Sequence, residues 1–235
     1  MLIDQLKAAG MTLPEGIETR FDFERMQDYL DFLYKNQERF FSKADQERIL
    51  ERHLFECLIF VDYVASALNV SRETRVADAG TGPGLPGFLF GCLKDAPGLT
   101  LIDSSARSLG LLEEHIKGRQ LPVRFRFERL EEMRGQFHLI TTRALFGYPS
   151  VIELICHLQE VGDHFTLSGA DLSIDNPRIK NYLSTLGYVS RETIEPDELK
   201  FLGSRKIYVF RKEKQTKKGY PRKWKVIKNS AKDFS

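Results

Sequence analysis

The chain has 235 residues, 42% hydrophobic and 29% charged, the balance of a water-soluble globular protein with room for one α/β domain and an added helical segment. No apolar run approaches the length of a membrane span, and residues 1–7 lack the apolar core of a signal peptide. A cytoplasmic protein with no membrane partner is therefore expected. The net charge of +2 hides an asymmetry, because ten Lys/Arg against one Glu between residues 211 and 232 put +9 on the tail and leave −7 on the body.

Residues 1–70 read as a helical segment. Phe23, Met26, Leu30 and Leu33 recur at helical spacing with Asp22, Arg25, Asp28 and Asp31 between them. A polar connection over residues 35–43 follows, and Ser42 with Asp45 has the spacing of a helix start. One continuous helix is then expected from Ile49 to about Asn69. It carries His53 among Glu51, Arg52 and Glu56, and periodicity by itself favours a structural role for that histidine. These helices are expected to pack on the sheet and to wall one side of a site.

The next stretch organises the rest. Val76-Ala77-Asp78-Ala79 is a short apolar strand ending near an acid, and Gly80, Gly82, Gly84 and Gly87 turn the chain into a helix expected over residues 88–93. Strand, glycine turn and helix form the ligand crevice of α/β folds. From Gly82 the residues also fit the dinucleotide spacing G-x-G-x-x-G. Pro83 and Pro86, however, remove two N–H donors that a pyrophosphate would use, and Asp78 puts a negative charge at the mouth of the turn. A cofactor without phosphate suits the loop better. S-adenosylmethionine carries a sulfonium and an ammonium, and the acid followed by Gly-x-Gly-x-Gly (Asp78, Gly80, Gly82, Gly84) is the pattern of Rossmann-like methyltransferases. A ligand-free turn is the competing reading. Asp103, ending a strand over residues 99–102, stands where an acid accepts from both ribose hydroxyls, which supports an adenosyl ligand without choosing between cofactors.

Strand and helix patterns alternate from residue 74 onward. A helix near residues 105–117 is followed by strands at 123–127 and 137–142, the latter ending at Arg143. A helix over residues 151–159, a strand at 164–168 and a helix at 176–186 come next. The last pair, residues 188–194 and 206–210, reads as antiparallel. The predicted fold is α/β: a seven-stranded, mostly parallel Rossmann-like sheet over residues 71–212, with the helical segment before it and a basic tail after it. Cys57, Cys92 and Cys156 are scattered, with no metal spacing or disulfide framework, so no metal is expected and each reads as a small buried apolar residue. The tail, residues 213–235, lacks apolar periodicity. Its Tyr220 and Trp224 lie among Lys217, Lys218, Arg222 and Lys223, which suits phosphate neutralisation and base stacking, so RNA contact is favoured over a merely solubilising tail.

These residues resemble the RsmG/GidB family of bacterial methyltransferases, which methylate N7 of one guanosine in small-subunit (16S) ribosomal RNA. Residues 78–87 (Asp-Ala-Gly-Thr-Gly-Pro-Gly-Leu-Pro-Gly) carry the most specific match. Arg52-His53-Leu54 with Glu56, residues 101–104, Leu130-Glu131-Glu132, Thr142-Arg143-Ala144 and residues 217–223 (Lys-Lys-Gly-Tyr-Pro-Arg-Lys) are similar to further family segments. The resemblance implies a class I S-adenosylmethionine-dependent fold acting on ribosomal RNA or the small subunit, expected as a monomer. It implies cofactor contacts from Gly80, Leu85, Leu130, Glu131 and Arg143, with Asp103 on the ribose. Arg143 would face both cofactor and RNA as the catalytic candidate, and His53 would lie on the RNA side; a surface ion pair of Arg143 with Glu131 or Glu132 is the alternative. The chain departs from the family pattern at Arg39-Phe40-Phe41, His138 and Ser168-Gly169. Three rival functions remain open: a methyltransferase of small molecules or proteins, a cofactor- and RNA-binding homologue without activity, and a nicotinamide enzyme.

Overall fold

The computed structural model describes residues 1–234; Ser235, the last residue of the expected tail, lies outside the described residues. The first seventy residues form α1 (Leu2–Ala8), α2 (Ile17–Arg20), α3 (Phe23–Lys35), α4 (Gln37–Phe40), α5 (Lys43–Gln46), a π-helical stretch (Ile49–Phe55) and α6 (Glu56–Ala67). Asp22 caps α3 by accepting from the Arg25 N–H at 3.0 Å, and Ser42 caps α5. Two expectations are corrected here. The polar connection is helical at α4 and α5, because short polar turns satisfy their own backbone groups without an apolar stripe. The expected continuous helix from Ile49 opens in π winding, a feature that tends to sit at functional sites.

Beyond residue 74 come β1 (Arg75–Ala79), α7 (Gly87–Phe90), β2 (Gly98–Ile102), α8 (Ala106–His115), β3 (Val123–Arg126), β4 (Leu139–Arg143) and α9 (Ser150–Ile155). They are followed by β5 (His164–Gly169), α10 (Pro177–Leu186), β6 (Tyr188–Ile194), β7 (Lys206–Lys212) and α11 (Trp224–Ser230). The seven strands make one sheet of order β3-β2-β1-β4-β5-β7-β6, in which only β7 runs antiparallel to its neighbours β5 and β6. The seven-stranded, mostly parallel α/β sheet read from the alternation is therefore present, although α7 is a single turn, two residues shorter than the expected helix.

Alternation along each strand assigns its side chains to two helical layers. Val76, Leu99, Leu101 and Leu139 pack with Tyr29, Leu30, Leu54, Leu58 and Phe60, so the N-terminal segment is one layer of the sandwich. Ala77, Ala79, Ile102, Ile140 and Phe165 pack with Ile152, Ile155, Leu183 and Ile227 on the other face. Ile227 belongs to the tail. Read without apolar periodicity, residues 213–234 nevertheless fold back onto the body: α11 seats Ile227 in the core, and Arg222 closes on the fully buried Glu153 of α9. Two anchors suffice where a periodic stripe is absent. Lys212, counted with the basic tail, is also buried and donates to the carbonyls of Cys156 and Gln159.

Candidate cofactor and RNA site

Asp78 is the hinge pin of the glycine turn. The strand alternation that buries Val76 points Asp78 the same way, toward the N-terminal helices, and it has no exposed surface. One carboxylate oxygen accepts from the Thr81 hydroxyl and from the Gly87 N–H at 2.8 Å. Burial pushes this carboxyl up to about 6, against the pull of those two donors. The expected contact between Asp78 and a cofactor is therefore corrected: it shapes the loop from behind. Gly84 is corrected likewise. A Cβ there would collide with Leu112 and approach the Tyr29 hydroxyl, so this glycine is needed for packing. Gly80 (φ 71°) and Gly82 (φ 57°) do face the crevice, and at Gly82 the place of a Cβ is open space.

The loop has no N–H left for a phosphate. Gly80 and Thr81 donate to the Ile102 carbonyl, Gly82 to Asp103 at 2.9 Å, Gly84 and Leu85 to the Thr81 carbonyl, Gly87 to Asp78 and Phe88 to the Gly84 carbonyl. Pro83 and Pro86 supply none. A dinucleotide pyrophosphate, which depends on such donors, finds none free here. Asp103 accepts one N–H on each oxygen, from Gly82 and from Ser105, and each oxygen keeps lone-pair capacity for a further donor.

Two recesses meet at Gly80. The larger, about 510 Å³, is lined by Thr81, Gly82 and Leu85 of the turn, by Arg143 and Ser168 at strand ends, and by Phe40, Phe41, Asp45, Arg52 and His53 of the helical segment. The smaller, about 250 Å³, is lined by Asp103, Leu130, Glu131, Leu145, Leu154 and Trp224. Ala144 takes φ 54° directly after Arg143, and Leu145 beyond it lies against Gly80.

Arg143 does not pair with Glu131 or Glu132. Its guanidinium donates to the Arg52 carbonyl at 2.9 Å and to His53 Nδ1 at 3.1 Å, holding the π-helical stretch to the end of β4. Because an arginine N–H can only donate, Nδ1 accepts and Nε2 carries the imidazole proton. Burial, with the positive charge of Arg143, pushes His53 down to about 4, so it is neutral near pH 7. Phe41 stacks on its ring with centroids 4.2 Å apart. Two other arginines of the recess are taken by carboxylates, Arg52 by Asp45 at 3.1 Å and Arg205 by Glu56 at 3.3 Å. Among the described residues Arg143 has no carboxylate partner, and two of its five N–H donors are used, by the Arg52 carbonyl and His53.

The structure thus gathers Gly80, Gly82, Leu85, Arg143 and His53 in one recess and Asp103, Leu130 and Glu131 in the other. Of the tail candidates, Lys217, Lys218 and Lys223 are exposed; Arg222 is held by Glu153, and Tyr220 is half-buried beneath it. Two departures from the family pattern, Phe40-Phe41 and Ser168-Gly169, line the larger recess, whereas His138 sits at the start of β4, where its ring accepts the Arg75 N–H. Sequence reading missed Arg205, Leu145 and the position of Trp224. The one signal for the last was a lone tryptophan in a lysine-rich stretch.

A family model described as GidB, rRNA small subunit methyltransferase G, matches residues 22–193. The ribosomal RNA small subunit methyltransferase G of Leptospira biflexa is 42% identical over 218 residues, covering 90% of this chain and 88% of its own length. That of Leptospira interrogans is 34% identical over 234 residues, covering 98% and 92%. The magnesium protoporphyrin IX methyltransferase of Synechocystis, solved with S-adenosylmethionine bound, superposes with a TM-score of 0.55 at 17% identity, covering 80% of this chain and 97% of that one. At that identity the likeness speaks for the fold.

Proposed function

The chain belongs to the rRNA small subunit methyltransferase G family, and from that membership we propose that it transfers a methyl group from S-adenosylmethionine to N7 of a guanosine in small-subunit ribosomal RNA. The observation that carries the cofactor is the glycine turn: open space at Gly82, a ribose-competent Asp103 beside it, and no N–H free for a pyrophosphate. A methyltransferase cofactor without phosphate fits that loop, and a nicotinamide dinucleotide does not.

When bound, the cofactor supplies an electrophilic methyl on a positively charged sulfur. Guanine N7 presents a lone pair and carries no proton at neutral pH, so the chain need not supply a general base. Its work is placement. Asp103 and the Leu130-Glu131 segment would hold the adenosine, and the turn from Gly80 to Leu85 would bring the methyl to the larger recess. Arg143 would fix an anion there, a cofactor carboxylate or an RNA phosphate, while locking Arg52 and His53 in place. Phe41 stacked on His53 offers an aromatic platform where a base would enter. Lys217, Lys218 and Lys223 would meet the RNA backbone. The cysteines take no part: all three are buried, and burial pushes the Cys57 and Cys156 thiols up to about 12.

The test maps N7-methylguanosine in small-subunit ribosomal RNA from cells with and without this protein. One guanosine should lose its methyl group in the deletion strain and regain it when the gene is restored. Unchanged methylation would overturn the substrate assignment, and calorimetric binding of NAD without S-adenosylmethionine would overturn the cofactor.

A further inference from the structure

The tail does more than carry lysines. Trp224 opens α11 and lines the smaller recess together with Asp103, Leu130, Glu131, Leu145 and Leu154. Its ring packs on Phe146 with centroids 4.9 Å apart, and the neighbouring Leu145 lies against Gly80. Three ties hold it there. Arg222, two residues before it, reaches Glu153 through Nε at 2.9 Å and Nη2 at 2.7 Å, and its backbone N–H donates to the same carboxylate at 2.8 Å. Ile227, one turn after it, is fully buried. Glu153 precedes Leu154, another wall of the recess, so the anchor and the wall share one helix.

From this arrangement we infer that Trp224 is the aromatic wall of the adenosine subsite, so that the C-terminal tail is a built part of the cofactor site. The inference rests on the cofactor reading above and adds a residue outside the stretch matched by the family model, which ends at residue 193. The recess has the chemistry of an adenosine pocket. Asp103 in its wall can accept hydrogen bonds from hydroxyls, Leu130, Leu145 and Leu154 supply apolar surface, and an indole supplies a flat π-face for a purine. Across the recess Arg129 holds Glu131 at 3.2 Å, which fixes that wall. Docking of the tail and occupancy of the recess are then one linked equilibrium: whatever frees Trp224 weakens the cofactor, and a bound cofactor holds the tail down.

Trp224 is the single tryptophan of the chain, so its emission reports on this place alone. The full-length protein is titrated with S-adenosylhomocysteine, adenosine and methionine, following tryptophan emission and, in parallel, heat. S-adenosylhomocysteine should change the emission with the midpoint found by calorimetry. Adenosine should change it too, and methionine should not. Trp224→Ala should weaken calorimetric binding about tenfold or more, and Trp224→Phe should restore most of it. Calorimetric binding with silent emission would overturn the inference and leave the cofactor reading standing. No calorimetric binding by the wild type would overturn both. Because the wild-type emission decides by itself, the test holds even if the alanine variant fails to fold.

Discussion

Arg222→Met tests the anchor that holds the tail. Glu153 has no exposed surface, and its oxygens accept from the Arg222 guanidinium, the Arg222 backbone N–H and the Tyr182 hydroxyl. The substitution roughly keeps the volume and keeps the backbone bond, but it removes the countercharge and every guanidinium bond to Glu153. Stranding a buried carboxylate costs roughly 3–5 kcal/mol, and the part exposure of Arg222 favours the lower end, about 3 kcal/mol. A sign follows for pH. Burial pushes the Glu153 carboxyl up from 4.5, but Arg222 and Tyr182 more than offset it, so the net shift is downward. In the wild type this group contributes stability present above about pH 4.5 and lost as pH falls through the lower folded value. In the variant the carboxyl rises instead, so the deficit against wild type should be full at pH 7.5 and shrink toward pH 4. Urea unfolding at both pH values measures it, and Glu153→Met with Arg222→Met should recover most of the loss. A deficit below about 1 kcal/mol at pH 7.5, or one that persists in the double variant, would refute the buried-pair reasoning.

Three further expectations use the same structure. Arg143→Lys keeps the charge but cannot span the Arg52 carbonyl and His53 together, so single-turnover methyl transfer should fall about tenfold or more while urea stability changes by about 1 kcal/mol or less; equal rates would leave Arg143 a structural tie with no part in methyl transfer. Lys217→Ala with Lys218→Ala, both exposed, should reduce the slope of log binding constant against log salt by roughly 1.5 on ribosomal RNA, with S-adenosylhomocysteine affinity unchanged by calorimetry. Asp78 holds its proton in the fold up to about pH 6, against 3.8 in the unfolded chain, so its contribution is fully present below the lower value and is lost as pH rises through the upper, by about 3 kcal/mol. Asp78→Asn should therefore destabilise less, relative to wild type, at pH 7.5 than at pH 4.5 in urea unfolding.

The sequence by itself determined the sheet and the cofactor turn, because their signals are local. Apolar alternation marked β1 through β7 within a few residues of their observed ends, and four glycines with two prolines between Gly80 and Gly87 left few backbone geometries open. Asp103 was legible for the same reason, an acid at the end of a strand. The tertiary structure decided what distant partners do to residues that look alike in one dimension. Asp78 and Asp103 both close strands, but alternation within the packed sandwich buries the first behind the loop and leaves the second beside the recess. Arg222, Lys212 and Lys217 are all cations near the end of the chain. Only folding pairs the first with Glu153, buries the second under two carbonyls, and leaves the third to solvent. The π winding that presents His53 to Arg143, and the return of Trp224 to the wall of the Asp103 recess, join segments separated by some ninety residues or more. A charge or an indole carries no local mark of the partner it will meet, since burial and pairing energies exist only once the chain has brought the two together.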